Sequence, residues 1–220
     1  MVSGTTVGKL KFKVDEKQLD KDVKNAILKH LKGKMVIVAN RSSKRIQENF
    51  SRLLLDSDTI KSLSGGQLTW EFGFDDISVR ISDILNQWIN SMRIEHKPLK
   101  IIANGLVGGF TINMVKSDWS DVIDRESAIF TTPEHNYDLR WLEWLLIEGG
   151  KTIIADYDFV GRGGLGRLEH GLMVKNARRK RWSVPSEFQG TTDNNFVTQV
   201  INEVYVIIAK IFTEEFNRVL

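Results

Sequence analysis

The sequence predicts an α+β protein: a largely antiparallel sheet flanked by long N-terminal and C-terminal helices, in a single domain over residues 1–220 with a projecting loop around 161–181. Three observations carry this expectation. Apolar residues recur at helical spacing from about Glu16 to Leu55. Apolar and polar residues alternate through much of residues 92–116. A second stripe of helical period then runs from about Thr192 to the end of the chain.

Taken in order, Lys9-Leu10-Lys11-Phe12-Lys13-Val14 alternates and reads as a half-exposed strand. Leu19, Val23, Ala26, Ile27 and Leu31 then fall on one helical face, with lysines opposite. Met35, Val36, Ala39, Ile46, Phe50, Leu53 and Leu54 continue a similar face past Gly33, so the segment is one long or kinked helix ending near Leu55. Leu63-Ser64-Gly65-Gly66 is turn chemistry. The alternation of Leu68, Trp70, Phe72 and Phe74 predicts a strand, and Asp75 or Asp76 caps a helix carrying Ile77, Ile81, Ile84, Leu85 and Trp88.

Strands follow at Met92–Glu95, Leu99–Ala103 and Phe110–Val115, with turns at Asn104-Gly105 and Gly108-Gly109. Asp138–Glu148 reads as a helix closed by Gly149-Gly150. Lys151–Val160 and Gly171–Val174 read as strands. The last helix starts near Thr192 or Asp193, with Phe196, Val197, Val200, Ile201, Val204, Ile208, Ile211, Phe212 and Val219 as its stripe.

Composition bounds the function classes. The chain has 41% hydrophobic and 27% charged residues, as ordinary soluble domains do. A net charge of +3 puts any nucleic-acid affinity in a local patch rather than in the whole molecule. The absence of cysteine excludes disulfides, thiolate metal sites and cysteine nucleophiles. Met1–Thr6 has neither the charge nor the apolar run of a signal peptide, and Val204–Phe212, broken by Lys210, is too short an apolar stretch to span a bilayer. A soluble protein without membrane partners is the expectation.

Motifs for chemistry are sparse. Gly161-Arg162-Gly163-Gly164-Leu165-Gly166 satisfies G-x-G-x-x-G after a strand-like segment. A dinucleotide site needs a helix starting inside that loop to hold the pyrophosphate, and Arg167-Leu168-Glu169-His170-Gly171 does not supply one. His30, His96, His135 and His170 are scattered, and neither the H-E-x-x-H metal pattern nor the G-x-S-x-G elbow occurs. Asp118, Asp121 and Asp124 could line one helical face toward a divalent cation, but a solvated first turn is the plainer reading. No catalytic, cofactor-binding or metal residues are therefore assigned.

The basic cluster Lys175, Arg178, Arg179, Lys180 and Arg181, with Arg162 and Arg167 before it, is a candidate for contacting DNA or a neighbouring protein. Trp182 could stack on a base, or anchor a strand end in the core. Trp141 and Trp144, three apart, share a helix face. With Trp182, Phe188 and Phe196 they are the candidate interface or packing aromatics.

Two segments resemble known proteins. Trp182-Ser183-Val184-Pro185-Ser186-Glu187-Phe188-Gln189-Gly190-Thr191-Thr192-Asp193-Asn194-Asn195-Phe196 follows a tryptophan-leucine-rich helix and a glycine-rich loop. It resembles the W-x-V-P-x-E-F-x-G-T-x-x-D-N stretch of tailed-bacteriophage virion proteins. Ser62–Leu68, after a long amphipathic helix, is similar to the T-G-x-L turn of phage neck and tail-completion proteins. The resemblance implies a homo-oligomeric ring in the virion neck, assembled in the host cytoplasm. Such a ring joins the head's portal or adaptor proteins to the tail around a channel for genomic DNA, with no catalytic residues and no cofactor. Alternatives are a tail terminator, or a nucleic-acid-binding module using residues 175–182.

Overall fold

A computed structural model of the chain describes residues 15–72, 76–103, 105–115, 118–131, 138–155, 157–161, 171–175 and 181–220. The expected strand at Lys9–Val14 lies outside them.

Helix α1 runs unbroken from Glu16 to Asp56, 41 residues in all, and passes through Gly33 without stopping. Its start is capped by Asp15, whose carboxylate accepts from the Lys17 and Gln18 amides. At 1.5 Å per residue it is about 60 Å long, so no single core of this chain can cover it. Burial follows that limit. Met35, Val38, Ala39, Ile46, Phe50 and Leu54 are in the core, whereas Leu19, Val23 and Ile27 in the first half are exposed.

Helix α2 (Asp58–Gly65) follows at once, its first turn capped by Ser57. The strand expected at Leu68–Phe74 is instead a short helix, α3 (Gln67–Phe72). The Ser62 hydroxyl accepts from the Leu68 amide at 3.0 Å, and the Thr69 hydroxyl donates to the Ser62 and Leu63 carbonyls. These bonds hold α3 against the end of α2, where Leu68 is fully buried. Tertiary anchoring overrides the period-2 pattern. Helix α4 (Ile77–Ser91) has the expected face, with Ile77, Ile81, Ile84, Leu85 and Trp88 buried.

The next segment is one hairpin rather than three strands. β1 (Arg93–Ile102) pairs antiparallel with β2 (Gly105–Asn113), with a register shift between Lys97 and Lys100, around Pro98. Gly108-Gly109, expected to turn, lies inside β2. A Cβ on Gly108 would come within 2.8 Å of the Leu99 side chain, so glycine there permits close strand approach. Of the turn expected at Asn104-Gly105, Gly105 opens β2 opposite Ile102, and Asn104 lies outside the described residues.

Beyond the hairpin come α5 (Ser120–Ile123), a 3₁₀ turn at Glu126–Ala128, and β3 (Phe130–Thr131) paired with β4 (Asp138–Leu139). Helix α6 is shorter than expected, Trp141–Leu146, because Asp138 and Leu139 are taken by the strand pair. The stretch expected as one strand at 151–160 divides into β5 (Ile154–Ala155) and β6 (Tyr157–Gly161). β6 pairs with β7 (Gly171–Lys175), and β5 with β8 (Arg181–Trp182). Helix α7 starts at Phe196 and ends at Val219. The class is α+β, with antiparallel pairing divided among four two-stranded sheets.

Helix α7 runs back along the second half of α1. Arg45 bonds Glu214 at 2.7 Å and Glu215 at 2.8 Å, and Lys34 reaches the Leu220 carbonyl. By length and composition α7 could cross a membrane. Here it seats Phe196, Val197, Val200, Val204 and Ile211 in the core, beside the paired carboxylate of Glu215. The core itself joins α2, α4, α5, α6 and α7 around Trp88, Trp119 and Trp141, with Trp88 edge-on to both Trp119 and Phe196.

Candidate functional site

The segment from Trp182 to Phe196 forms a clasp between α6 and α7. Val184 is buried, and its carbonyl accepts from the Gln189 side chain at 2.7 Å. Gly190 then passes directly against the last turns of α6: a Cβ there would run into the Leu145 carbonyl. Its own carbonyl accepts from the Gly149 amide at 3.0 Å. Thr191 and Asn194 close a tight turn by reciprocal backbone bonds.

Asn195 is the key of the clasp. Its side-chain oxygen caps α7 by accepting from the Val197 and Thr198 amides, and the Thr198 hydroxyl accepts from the Asn195 amide, a capping box. Its side-chain nitrogen donates to the Leu146 carbonyl at 3.1 Å and to the Thr191 carbonyl at 3.0 Å. One buried asparagine thus starts α7 and ties it to the orphan end of α6. This capping places the helix start at residue 196, a few residues beyond Thr192 and Asp193.

The aromatic candidates divide. Trp141 is buried and donates its indole N–H to the Ser127 carbonyl at 3.0 Å. Trp144 is half-buried. Both rings, and that of Trp182, lie about one ring-contact away from Phe72, with centroid separations of 6.1, 6.1 and 6.0 Å. The structure therefore gathers three tryptophans around a phenylalanine that the sequence reading had put on a strand. Phe188 is half-buried on the core, and Phe196 is within it. All five are packing residues in this chain.

Glu71 stands next to that cluster. Burial holds its carboxyl above the usual glutamate range, against hydrogen bonding from Gln67 and Trp182.

Of the basic candidates, Lys175 sits in β7 opposite Tyr157, and Arg181 sits in β8 opposite Ala155. Arg162, Arg167, Arg178, Arg179 and Lys180 lie outside the described residues. The three aspartates do not converge. Asp118 accepts from the Ser120 amide and hydroxyl, and Asp124 pairs with Arg140 at 2.9 Å. Among the described residues no group of three acidic, histidine or cysteine side chains is placed to hold a metal. His30 lies 2.8 Å from the Lys34 ammonium, and His96 leans on Phe110.

A second feature was only half visible beforehand. The first half of α1 and the β1–β2 hairpin form an arm outside the core. Lys24 bonds Asp20 at 2.6 Å and the Ala103 carbonyl at 2.9 Å, fastening the hairpin tip to the helix. At the hairpin's base, Phe110 stacks on Phe212 of α7, centroids 4.5 Å apart. Leu19 and Val23 on the helix and Ile102 and Val107 on the hairpin are each about half exposed.

Fold and site define an α+β protein with a packed, tryptophan-centred body and a projecting helix–hairpin arm. Compared with protein-family models, with curated proteins and with solved structures, the chain finds no significant match.

Proposed function

We propose that this chain is a structural virion protein of a tailed phage, an oligomeric ring in the neck that joins the head's portal or adaptor to the tail and lines the DNA channel. The observation that best supports the reading is the arm: a continuous helix half and a hairpin beyond the core, with Leu19, Val23, Ile27, Ile102 and Val107 about half exposed. A two-stranded hairpin and a bare helix half are each marginal alone, so a surface of this kind is suited to burial by neighbours. The phage-like Trp182–Phe196 segment fits the same role. It joins α6 to α7 through Asn195 and Gly190.

Negative-stain microscopy of the purified protein, alone and with portal, adaptor and tail proteins, tests this. Rings, or density at the head–tail junction of particles, are the expected result. A protein that stays monomeric at high concentration and binds none of these partners overturns it.

The second reading, a nucleic-acid-binding module at residues 175–182, loses part of its support because the Trp182 ring is engaged with Phe72. Its charge remains. Replacing Arg178, Arg179, Lys180 and Arg181 by alanine would flatten the salt dependence of DNA binding if that reading holds.

A further inference from the structure

We propose that the arm of one copy docks on the acidic end of a second copy of this chain, a head-to-tail contact that repeats around an assembly. The inference deepens the ring reading and rests on it only for closure of the repeat.

The arm and the face built from α5 to α6 carry opposite charge, although they adjoin at the hairpin's base, where Arg93 and Asn113 share a groove with Asp121. The arm, residues 16–34 and 93–113, has nine basic and four acidic residues, an excess of five positive charges. The end built from α5 to α6, described at residues 118–131 and 138–148, has seven acidic residues against Arg125 and Arg140, an excess of five negative charges. Glu148 is paired with Lys151 just past this segment, which leaves an excess of four, and surfaces of opposite excess on one chain favour pairing between copies.

Each end also offers apolar surface. On the arm, Leu19, Val23 and Ile27 recur every four residues along one flank of the helix, all exposed. On the acidic end, an open groove is lined by Asp76, Val79, Arg80, Asp83, Arg125 and Glu126, and Val79 is 71% exposed. Both arginines in this groove are already engaged, Arg80 with Asp76 at 2.7 Å and Arg125 with Asp83 at 3.1 Å. Those pairs hold the Asp76 and Asp83 carboxyls below the usual aspartate range, and Glu126 leaves the groove one net negative charge.

The contact must be between copies. Gln47 bonds the Ile89 and Met92 carbonyls where the hairpin leaves the body. Lys24, near the hairpin tip, is 23 residues away on the same unbroken helix, which is about 35 Å. An unbroken helix holds that tip well away from Gln47, so it does not reach its own groove at the start of α4. A patch meeting a different patch is a heterologous contact, which builds rings when the rotation closes.

The experiment uses two full-length variants and analytical ultracentrifugation. Lys21→Glu with Lys29→Glu and Lys32→Glu removes the arm's positive excess; Asp124→Lys with Glu126→Lys removes most of the other face's negative excess. Circular dichroism and thermal melting check that each remains folded, as expected for exposed positions. Wild type is expected to associate, and to do so at least about tenfold more weakly when salt rises from about 0.05 M to about 0.5 M. Each variant alone should lose association at least about tenfold. An equimolar mixture should regain dimers but nothing larger, because one intact arm and one intact groove remain. Val23→Asp with Ile27→Asp, which leaves the lysines in place, should also lose association.

An arm variant that associates like wild type, or a mixture that regains no dimer, overturns the proposal. So does an arm variant that loses binding of a duplex DNA probe while self-association is unchanged, which would make the arm a nucleic-acid contact. Monomeric wild-type protein that still appears as density at the head–tail junction of particles would sink this interface and leave the neck reading standing.

Discussion

The body and the arm are built by the same chain on opposite principles. In the body, every long helix finds a partner: α7 lies on α1, α4 and α6 meet at Trp88 and Trp141, and the clasp joins α6 to α7. In the arm, the same helix α1 continues for about five more turns with one thin hairpin beside it and its flank in water. The contrast teaches that helix α1 is continuous for reasons internal to its sequence, whereas burial ends where the chain runs out of elements to cover it. A surface stabilised by its own fold needs no neighbour; a surface that is merely extended from one invites it.

This comparison can be broken or sharpened by substitution. The largest effect is expected in the body. Trp141→Ala removes a buried indole and its bond to Ser127, and should cost about 3–5 kcal/mol in denaturant unfolding. A loss under about 1 kcal/mol would mean that the tryptophan centre is not the stabilising core. Gly190→Ala forces a methyl into the Leu145 carbonyl, and should cost about 1–3 kcal/mol or shift the clasp so that thermal unfolding begins there.

Asn195→Ala should cost about 1–2 kcal/mol, through the lost cap of α7 and the stranded Leu146 carbonyl. Hydrogen exchange should then rise at the start of α7 before it rises elsewhere. The same measurement on an Asn195→Asp variant separates the two roles, since aspartate caps the helix but cannot donate to Leu146 at neutral pH.

Smaller still is the pH effect at the acidic end. Asp83 is held low by its hydrogen bonds from Arg125 and then Ser127. Its folded value is below its unfolded one, so its contribution is present above the ordinary aspartate range and is lost as pH falls through that range toward the depressed value. Asp83→Asn should therefore narrow the stability difference between neutral and acid pH. The side chains are half exposed, so the change should amount to a few tenths of a kcal/mol, about the size of a surface pair. Glu71 should behave oppositely. Its folded value is raised, so ionisation costs stability as pH rises above the ordinary glutamate range, and Glu71→Gln should be neutral or slightly stabilising at pH 7.

The smallest effect on folding is expected in the arm. Leu19→Ser, Val23→Ser and Ile27→Ser should each change monomer stability by less than about 0.5 kcal/mol. An arm substitution with a core-sized penalty would show that the flank is already covered within one copy, and the distinction between the two regions would collapse.

What could be read beforehand divides along similar lines. The long helices were legible because a stripe of helical period persists over many turns: Met35, Ala39, Ile46, Phe50 and Leu54 in α1 and Phe196, Val197, Val200, Val204 and Ile211 in α7 are buried as the pattern marks, although Val36 on the same stripe is exposed. The hairpin was legible as strands, but not its register, since the Gly108-Gly109 pair signals a turn unless Leu99 is known to lie across from it. The Leu68–Phe74 alternation misled, because Ser62 and Thr69 supply bonds that no local period encodes. Among the candidate aromatics, Trp141, Trp144 and Trp182 pack around Phe72, whereas Phe196 packs on Trp88. Phe72 was not singled out, as no spacing links residue 72 to residue 182.

The amino-acid sequence by itself determined the α+β class, the two long helices and the absence of any cysteine chemistry, because composition and periodicity act locally. Only the tertiary structure decided that one end of α1 is core and the other an arm, and that Asn195 fastens two helices. Those are properties of position in space, and residues far apart in the chain acquire them only when folding brings their elements together or leaves them alone.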